Sequence, residues 1–288
     1  MTEQILSFEE ILEQEEYVLI DTSFSCSPEN SGWFKEGVYG TNSYSEINAE
    51  ILRSQIRGLT SFSSVLGRPN VYTSRGVSIE LMRGRDLVER KINKLDYLTR
   101  RKRSKIRNRN GGKVKGDDQR EFMKDIRDLF FQSSHKARES ILKPEQRELY
   151  AYLENLVLKV SVNTNSKQDF SPRYRGFNEK EKEDFHTDEQ LVSLALYLSV
   201  QGNGSCMASR DSDLRRILMN TLRYVSDRKS NYCTYPNPFL RAIEKNGIRI
   251  FYPSSLGEGR ISFDTSDFRV ESRLPPKEVS KINQALAA

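Results

Sequence analysis

A chain of 288 residues, 36% hydrophobic and 30% charged, has room for one large hydrophobic core or two modest ones. Its longest apolar run, Leu191 to Val200, is too short for a membrane span, and the acidic start (Glu9, Glu10, Glu13, Glu15, Glu16) has the wrong sign for a targeting peptide. Cys26, Cys206 and Cys233 lack CxxC spacing, which argues against a disulfide framework or zinc site and makes a cytoplasmic setting the expectation.

In chain order, residues 3–16 read as a short amphipathic helix leading into Tyr17-Val18-Leu19-Ile20, an apolar run that stops at Asp21. Residues 24–46 are rich in Ser, Gly and Asn and read as a loop. Asn48 to Arg57 returns to helix, with Ile47, Ile51 and Ile56 as candidate core positions. Val71-Tyr72-Thr73 is a short strand, and Ser74 or Ser78 would cap a helix carrying Ile79, Leu81, Met82, Leu87 and Val88. The stretch Arg100 to Gly112 has too few apolar residues to pack and ends in a Gly pair. Glu121–Ile141 and Pro144–Val160 read as helices, the second with a stripe of Leu149, Leu153, Leu156, Val157 and Val160. After a polar segment at 163–186, Asp188 opens a helix with Leu191, Leu194, Ala195 and Leu198 on one face. A strand at 205–209, a helix near 213–226 and a strand at 247–253 complete the pattern. Alternating strands and helices at both ends predict an α/β fold with a central, mainly parallel sheet. The expected division is a first core segment (1–95), a basic and helical insertion (96–183) and a second core segment with a C-terminal tail (184–288).

Net charge is +6, but it is concentrated: Arg83 to Lys115 holds fourteen Lys or Arg against three acids. Such a block favours a polyanionic partner. Two apolar strands, meanwhile, deliver carboxylates at their ends: Asp21 after the first, Asp211 and Asp213 after Cys206-Met207-Ala208-Ser209-Arg210. Open α/β sheets bind ligands beyond the carboxyl ends of their strands. Converging acids there suit divalent metal and phosphate chemistry.

The order of these acids resembles the PIN-domain nucleases. Asp21 in VLIDTS matches the family's first acid, and Glu80 in VSIEL the acid on the helix after the second strand. Asp188 in DEQLVSLA and the pair Asp211 and Asp213 in SRDSDL complete the match. The likeness covers most of 17–90 and 184–253. It implies a three-layer α/β/α core and a metal-dependent nuclease whose catalytic acids are these five. Asp21, Asp188 and Asp211 would be the principal ligands of Mg²⁺ or Mn²⁺, with Glu80 and Asp213 contributing partially or to a second metal. Hydrolysis would use metal-activated water, since no residue stands out as a protein nucleophile. Ser23 and Arg210 flank the acids and are assigned to nucleic-acid contact. Arg100, Arg101, Lys102, Arg103, Lys105, Arg107 and Arg109 would grip the phosphate backbone.

An endoribonuclease acting on RNA is the leading expectation. A DNA or structure-specific nuclease and a catalytically silent scaffold binding RNA or protein are the alternatives; a homodimer or a protein partner stays open. Plainer readings stand beside the functional ones. An Asp after a strand often forms a turn, Asp188 and Asp213 suit helix caps, and Glu80 suits a surface ion pair. His135 and His186 are the only histidines and lie in unlike contexts; His186, two residues before Asp188, is placed to approach the site but reads rather as an exposed loop residue, and Tyr97 and Tyr174 read as stacking or packing residues. The chain is about twice the length of the toxin-type members, and the insertion between Glu80 and Asp188 departs from their compact form.

Overall fold

The computed structural model describes residues 5–25, 49–106, 117–145, 147–165, 186–210, 213–226, 236–253 and 258–265. The elements are β1 (Ile5–Ser7), α1 (Phe8–Gln14), β2 (Val18–Ile20), a 3-10 turn (Thr22–Ser25), α2 (Ala49–Val65) and β3 (Val71–Tyr72). They continue as α3 (Arg75–Ile106), α4 (Asp117–Glu139), α5 (Arg147–Asn165), α6 (Thr187–Val200) and β4 (Ser205–Ala208). The last described elements are α7 (Asp213–Ser226), α8 (Pro236–Asn246), β5 (Ile248–Pro253) and β6 (Glu258–Asp264). The protein is thus mixed α/β and mostly helical, with parallel strands at its centre. It divides into two compact units: Met1–Asp21, Leu142–Lys167 and Asp188–Ala288 in the first, Thr22–Ile141 and Gln168–Thr187 in the second.

In the first unit the strands run in the order β1-β6-β5-β4-β2. β2, β4 and β5 are parallel to one another, while β6 is antiparallel to β5 and β1 antiparallel to β6. β2 and β4 are buried along their length, as apolar runs without alternation should be (Val18, Leu19, Ile20, Cys206, Met207, Ala208), while β5 buries Ile248, Ile250 and Phe251 and leaves Arg249 and Tyr252 half-buried. Phe8 of α1 stacks on Phe251, ring centroids 5.6 Å apart. α6 is buried without interruption from Leu191 to Ser199, so it is a core helix rather than an amphipathic one with a single face. The stripe foreseen on α5 is buried at Leu153, Leu156, Val157 and Val160, and Leu156 and Val160 cluster with Val225 of α7.

The start of the chain differs from the expected helix at 3–16. Residues 5–7 pair with β6, and the helix begins at Phe8 because Ser7 caps it. The Ser7 hydroxyl accepts from the Glu10 amide at 3.2 Å, and the Glu10 carboxylate accepts from the Ser7 amide at 2.6 Å. This reciprocal arrangement satisfies two backbone donors at once.

Glu15 follows α1 and is buried, where it pairs with Arg249 on β5. Burial pushes its carboxyl above the ordinary Glu range; the Arg249 cation opposes that, and Asp264 reinforces it. A raised carboxyl pKa means that the folded state holds the proton more tightly than the unfolded chain. Glu15's contribution is therefore fullest below the ordinary Glu pKa and is lost as pH rises through the raised value. Arg249→Met removes the opposing cation and strands the carboxylate. We expect it to cost about 3 kcal/mol near pH 8 and clearly less near pH 5, read by denaturant unfolding at both pH values. An equal loss at the two would refute the assignment.

The second unit is built on the antiparallel pair α3 and α4, with α2 against α4. Ser74 caps α3, its hydroxyl accepting from the Val77 amide at 3.4 Å. The Ser78 hydroxyl donates to the Ser134 carbonyl at 3.2 Å; farther along, Arg127 pairs with Glu89 at 3.0 Å and Arg120 with Asp96 at 2.7 Å. Between these ties a Cβ at Gly84 would come within 2.7 Å of the Phe130 ring, so glycine is what lets the helices close on that ring. The core collects Leu52, Leu59 and Phe62 from α2, Val77, Leu81, Val88 and Ile92 from α3, and Met123, Ile126 and Phe130 from α4. Ile56, expected inside, is only half-buried, at the margin of the face on which Leu52, Leu59 and Phe62 turn inward; Ile47 lies outside the described residues.

α3 runs unbroken through the expected boundary at 95/96 and through the first basic turns. With 32 residues it spans about 48 Å. Because Asp96 pairs with Arg120, close to the described start of α4, the turns from Arg100 to Lys105 extend past the level where α4 begins. Arg107 and Arg109 lie outside the described residues, as do Asp211 and Tyr174.

Candidate functional site

Within the first unit, β2 and β4 are neighbours, with Val18 opposite Cys206, Leu19 opposite Met207 and Ile20 opposite Ala208. This register carries both strand ends to one edge. The Asp21 amide donates to the Ala208 carbonyl at 3.1 Å, prolonging the ladder by one step. The Ser209 hydroxyl then donates to Asp21 Oδ2 at 2.9 Å. Asp21 is 5% exposed and Ser209 fully buried, so the carboxylate is fixed in place by backbone and hydroxyl together. Arg210 follows Ser209; its guanidinium nitrogens are shielded from solvent, not displayed to a large polyanion.

Asp188 is the second residue of α6, in the first turn, where a carboxylate complements the helix dipole. Its neighbour Glu189 is buried and accepts from the Ser161 hydroxyl at 2.5 Å, tying α6 to α5. Asp213 opens α7 and accepts from Arg216 one turn on, at 3.2 Å. The plainer reading of Asp213 as a helix-start acid with a local partner is thus realised in this structure.

Glu80 belongs to the second unit, in the second turn of α3. Its carboxylate is half-buried and meets two hydroxyls. Thr22 donates its hydroxyl to Glu80 Oε2, and Thr187 donates its hydroxyl to Oε1 at 2.7 Å. Ser25 closes the 3-10 turn by donating to the Thr22 carbonyl at 2.7 Å, and Gln55 of α2 donates to the Ser25 carbonyl at 3.3 Å. Ser23, assigned to nucleic-acid contact, is half-buried in that turn. A Cβ at Gly76 would lie 2.9 Å from Thr187 Cα, closer than real Cβ atoms approach, and 3.0 Å from its Cβ. Gly76→Ala should therefore displace Thr187 and cost about 1–3 kcal/mol in denaturant unfolding. A cost below about 0.5 kcal/mol, on the same principle, would show the approach to be yielding.

Thr22, Thr187, Gly76 and Ser209 do not stand out in the sequence as site residues. One signal points to two of them: Asp21-Thr22 and Thr187-Asp188 each set a hydroxyl beside a candidate acid. His186, expected in an exposed loop, is half-buried and takes a left-handed backbone, φ 50°.

Among the described residues, no group of three or more His, Cys, Asp or Glu side chains is gathered as a metal site. No family model matches the chain, and no curated protein or solved structure shows significant similarity to it.

Proposed function

We propose that this chain is a PIN-like, metal-dependent ribonuclease. The observation that carries the reading is the parallel pairing of β2 with β4, whose register brings Asp21 and Ser209 to one edge. The donor chemistry fits: carboxylates are hard oxygen ligands of the kind Mg²⁺ and Mn²⁺ take, and Asp21 is a buried acid whose orientation a hydroxyl already sets. Asp21, Asp188 and Asp211 would hold the ion, with Asp213 as a further carboxylate from the start of α7. A bound divalent ion would supply positive charge to the phosphoryl oxygens and lower the pKa of water. The chain's own part is to fix the ligands, through Ser209 and the first turn of α6, and to hold the polyanion along the basic turns of α3. RNA is the proposed substrate, cut by hydrolysis within the chain.

The test is a cleavage assay on matched structured and single-stranded RNA and DNA, with Mg²⁺ or Mn²⁺ and with chelator. Chelator-sensitive cleavage of RNA over DNA is expected. Preferential DNA cleavage would move the assignment to a DNA nuclease. Tight, salt-sensitive RNA binding without turnover would make the protein a scaffold.

A further inference from the structure

Both oxygens of the Glu80 carboxylate meet threonine hydroxyls inside the second unit, Thr22 at Oε2 and Thr187 at Oε1. These two threonines are the residues at which the chain changes unit, covalently next to Asp21 and Asp188. We infer that Glu80 is a positioning residue: a brace joining Thr22 to Thr187, which fixes the two points where the chain departs toward Asp21 and Asp188, and not itself a metal ligand. Hydroxyl-to-carboxylate bonds are short and strong because the acceptor is charged. They also orient the carboxylate toward the chain crossings.

Two further observations bear on Thr187. Gly76 sits one helical turn before Glu80 and admits Thr187 against α3, where any side chain would collide. His186, the preceding residue, holds a left-handed backbone that non-glycine residues seldom adopt and that persists where the surroundings over-determine it. On the other crossing, Ser25 and Gln55 hold the turn that presents Thr22. The brace spans 58 residues on one side and 107 on the other, so it closes two long loops with one side chain.

The brace depends on the proposed metal site for one of its two readouts, and the other is independent of it. The variants are Glu80→Gln, the double change Thr22→Val with Thr187→Val, and the hydroxyl-retaining pair Thr22→Ser with Thr187→Ser. Glutamine removes the charge but keeps one acceptor and one donor for the two hydroxyls. The valine pair keeps the shape and the carboxylate but deletes both bonds. Hydrogen exchange on metal-free protein at the amides of 22–25 and 186–189 should accelerate about tenfold or more in the valine pair. It should rise only modestly in Glu80→Gln, which loses the charge but keeps both contacts, and stay near wild type in the serine pair. Titration with Mn²⁺ alone should show about tenfold or greater weakening in the valine pair, through misplaced neighbours, and near-wild-type affinity in Glu80→Gln. A Glu80→Gln protein that loses Mn²⁺ affinity with exchange unchanged, beside a valine pair that binds normally, would make Glu80 a ligand and overturn the brace. If wild type binds no Mn²⁺, the metal reading fails; the exchange readout still decides the brace, since undiminished protection in the valine pair refutes it.

Discussion

Asp21→Asn is expected to lower metal-dependent RNA cleavage by about 10²-fold or more while leaving the fold intact. The substitution separates charge from shape. Asparagine keeps an oxygen that can accept from the Ser209 hydroxyl and keeps the backbone bond from residue 21 to Ala208. What it removes is the negative charge a divalent ion needs, at a position that is 5% exposed and surrounded by the ends of two buried strands. Thermal unfolding should therefore stay close to wild type or rise, because a neutral amide is cheaper to bury than a carboxylate. Asp211→Asn should behave likewise in activity. Ser209→Ala should fall between, at about a tenfold loss, because it removes a hydroxyl that orients the Asp21 carboxylate and leaves the carboxylate itself in place. Chelator should reproduce the Asp21→Asn result in wild type, with Mn²⁺ restoring it. If purified Asp21→Asn and Asp211→Asn both cleave at the wild-type rate, the proposed chemistry is wrong.

The strand ends are legible in the sequence because their physics is local. An apolar run that stops at a carboxylate can be read from a handful of residues, and both β2 and β4 appear where that pattern places them. α6 is legible for the same reason, since an apolar helix opened by Asp188 and stopped near Gly202 needs no distant partner to be recognised. The pairing register, which makes Asp21 and Ser209 neighbours, has no local signature. Nor do Thr22 and Thr187, whose shared acceptor lies 58 and 107 residues away in sequence.

β1 is masked by its helix-friendly neighbours, although Ser7 and Glu10 carry the reciprocal capping signature that marks a helix start at Phe8. α3 is longer than its pattern suggests because the lack of apolar residues after Thr99 weighs against packing. Lys and Arg are nonetheless good helix formers, and a helix already nucleated by its packed half extends cheaply into solvent. On α2, Ile56 is only half-buried, whereas Leu52, Leu59 and Phe62 carry the burial.

Replacing Arg100, Arg101, Lys102, Arg103 and Lys105 together by Gln should weaken RNA binding by about 10²–10³-fold at moderate salt. These five cations belong to a continuous helix, extending past the start of α4. A backbone that is already helical does not have to be ordered on binding, so less of the attraction is spent on conformational entropy. Glutamine keeps helix propensity, which lets circular dichroism confirm that only charge has changed. Phosphate contacts carry no sequence information, so the weakening should be similar for every RNA tested. The slope of log affinity against log salt should shrink by about 0.7 for each phosphate no longer neutralised on single strands and about 0.9 on duplex. KM should rise with kcat nearly unchanged, the result expected of a helix that would bind ground state and transition state alike. Tyr97 tests the same surface in a different way. It is 62% exposed on α3, one turn before Arg100 and Arg101, where an aromatic face is open to a base. Tyr97→Ala should cost about 1–3 kcal/mol on single-stranded RNA and little on duplex, whose bases are already stacked. An unchanged affinity and salt slope in the five-fold variant would place the RNA elsewhere. Equal weakening on duplex and single strand in Tyr97→Ala would mean that the ring supports the helix instead of a base.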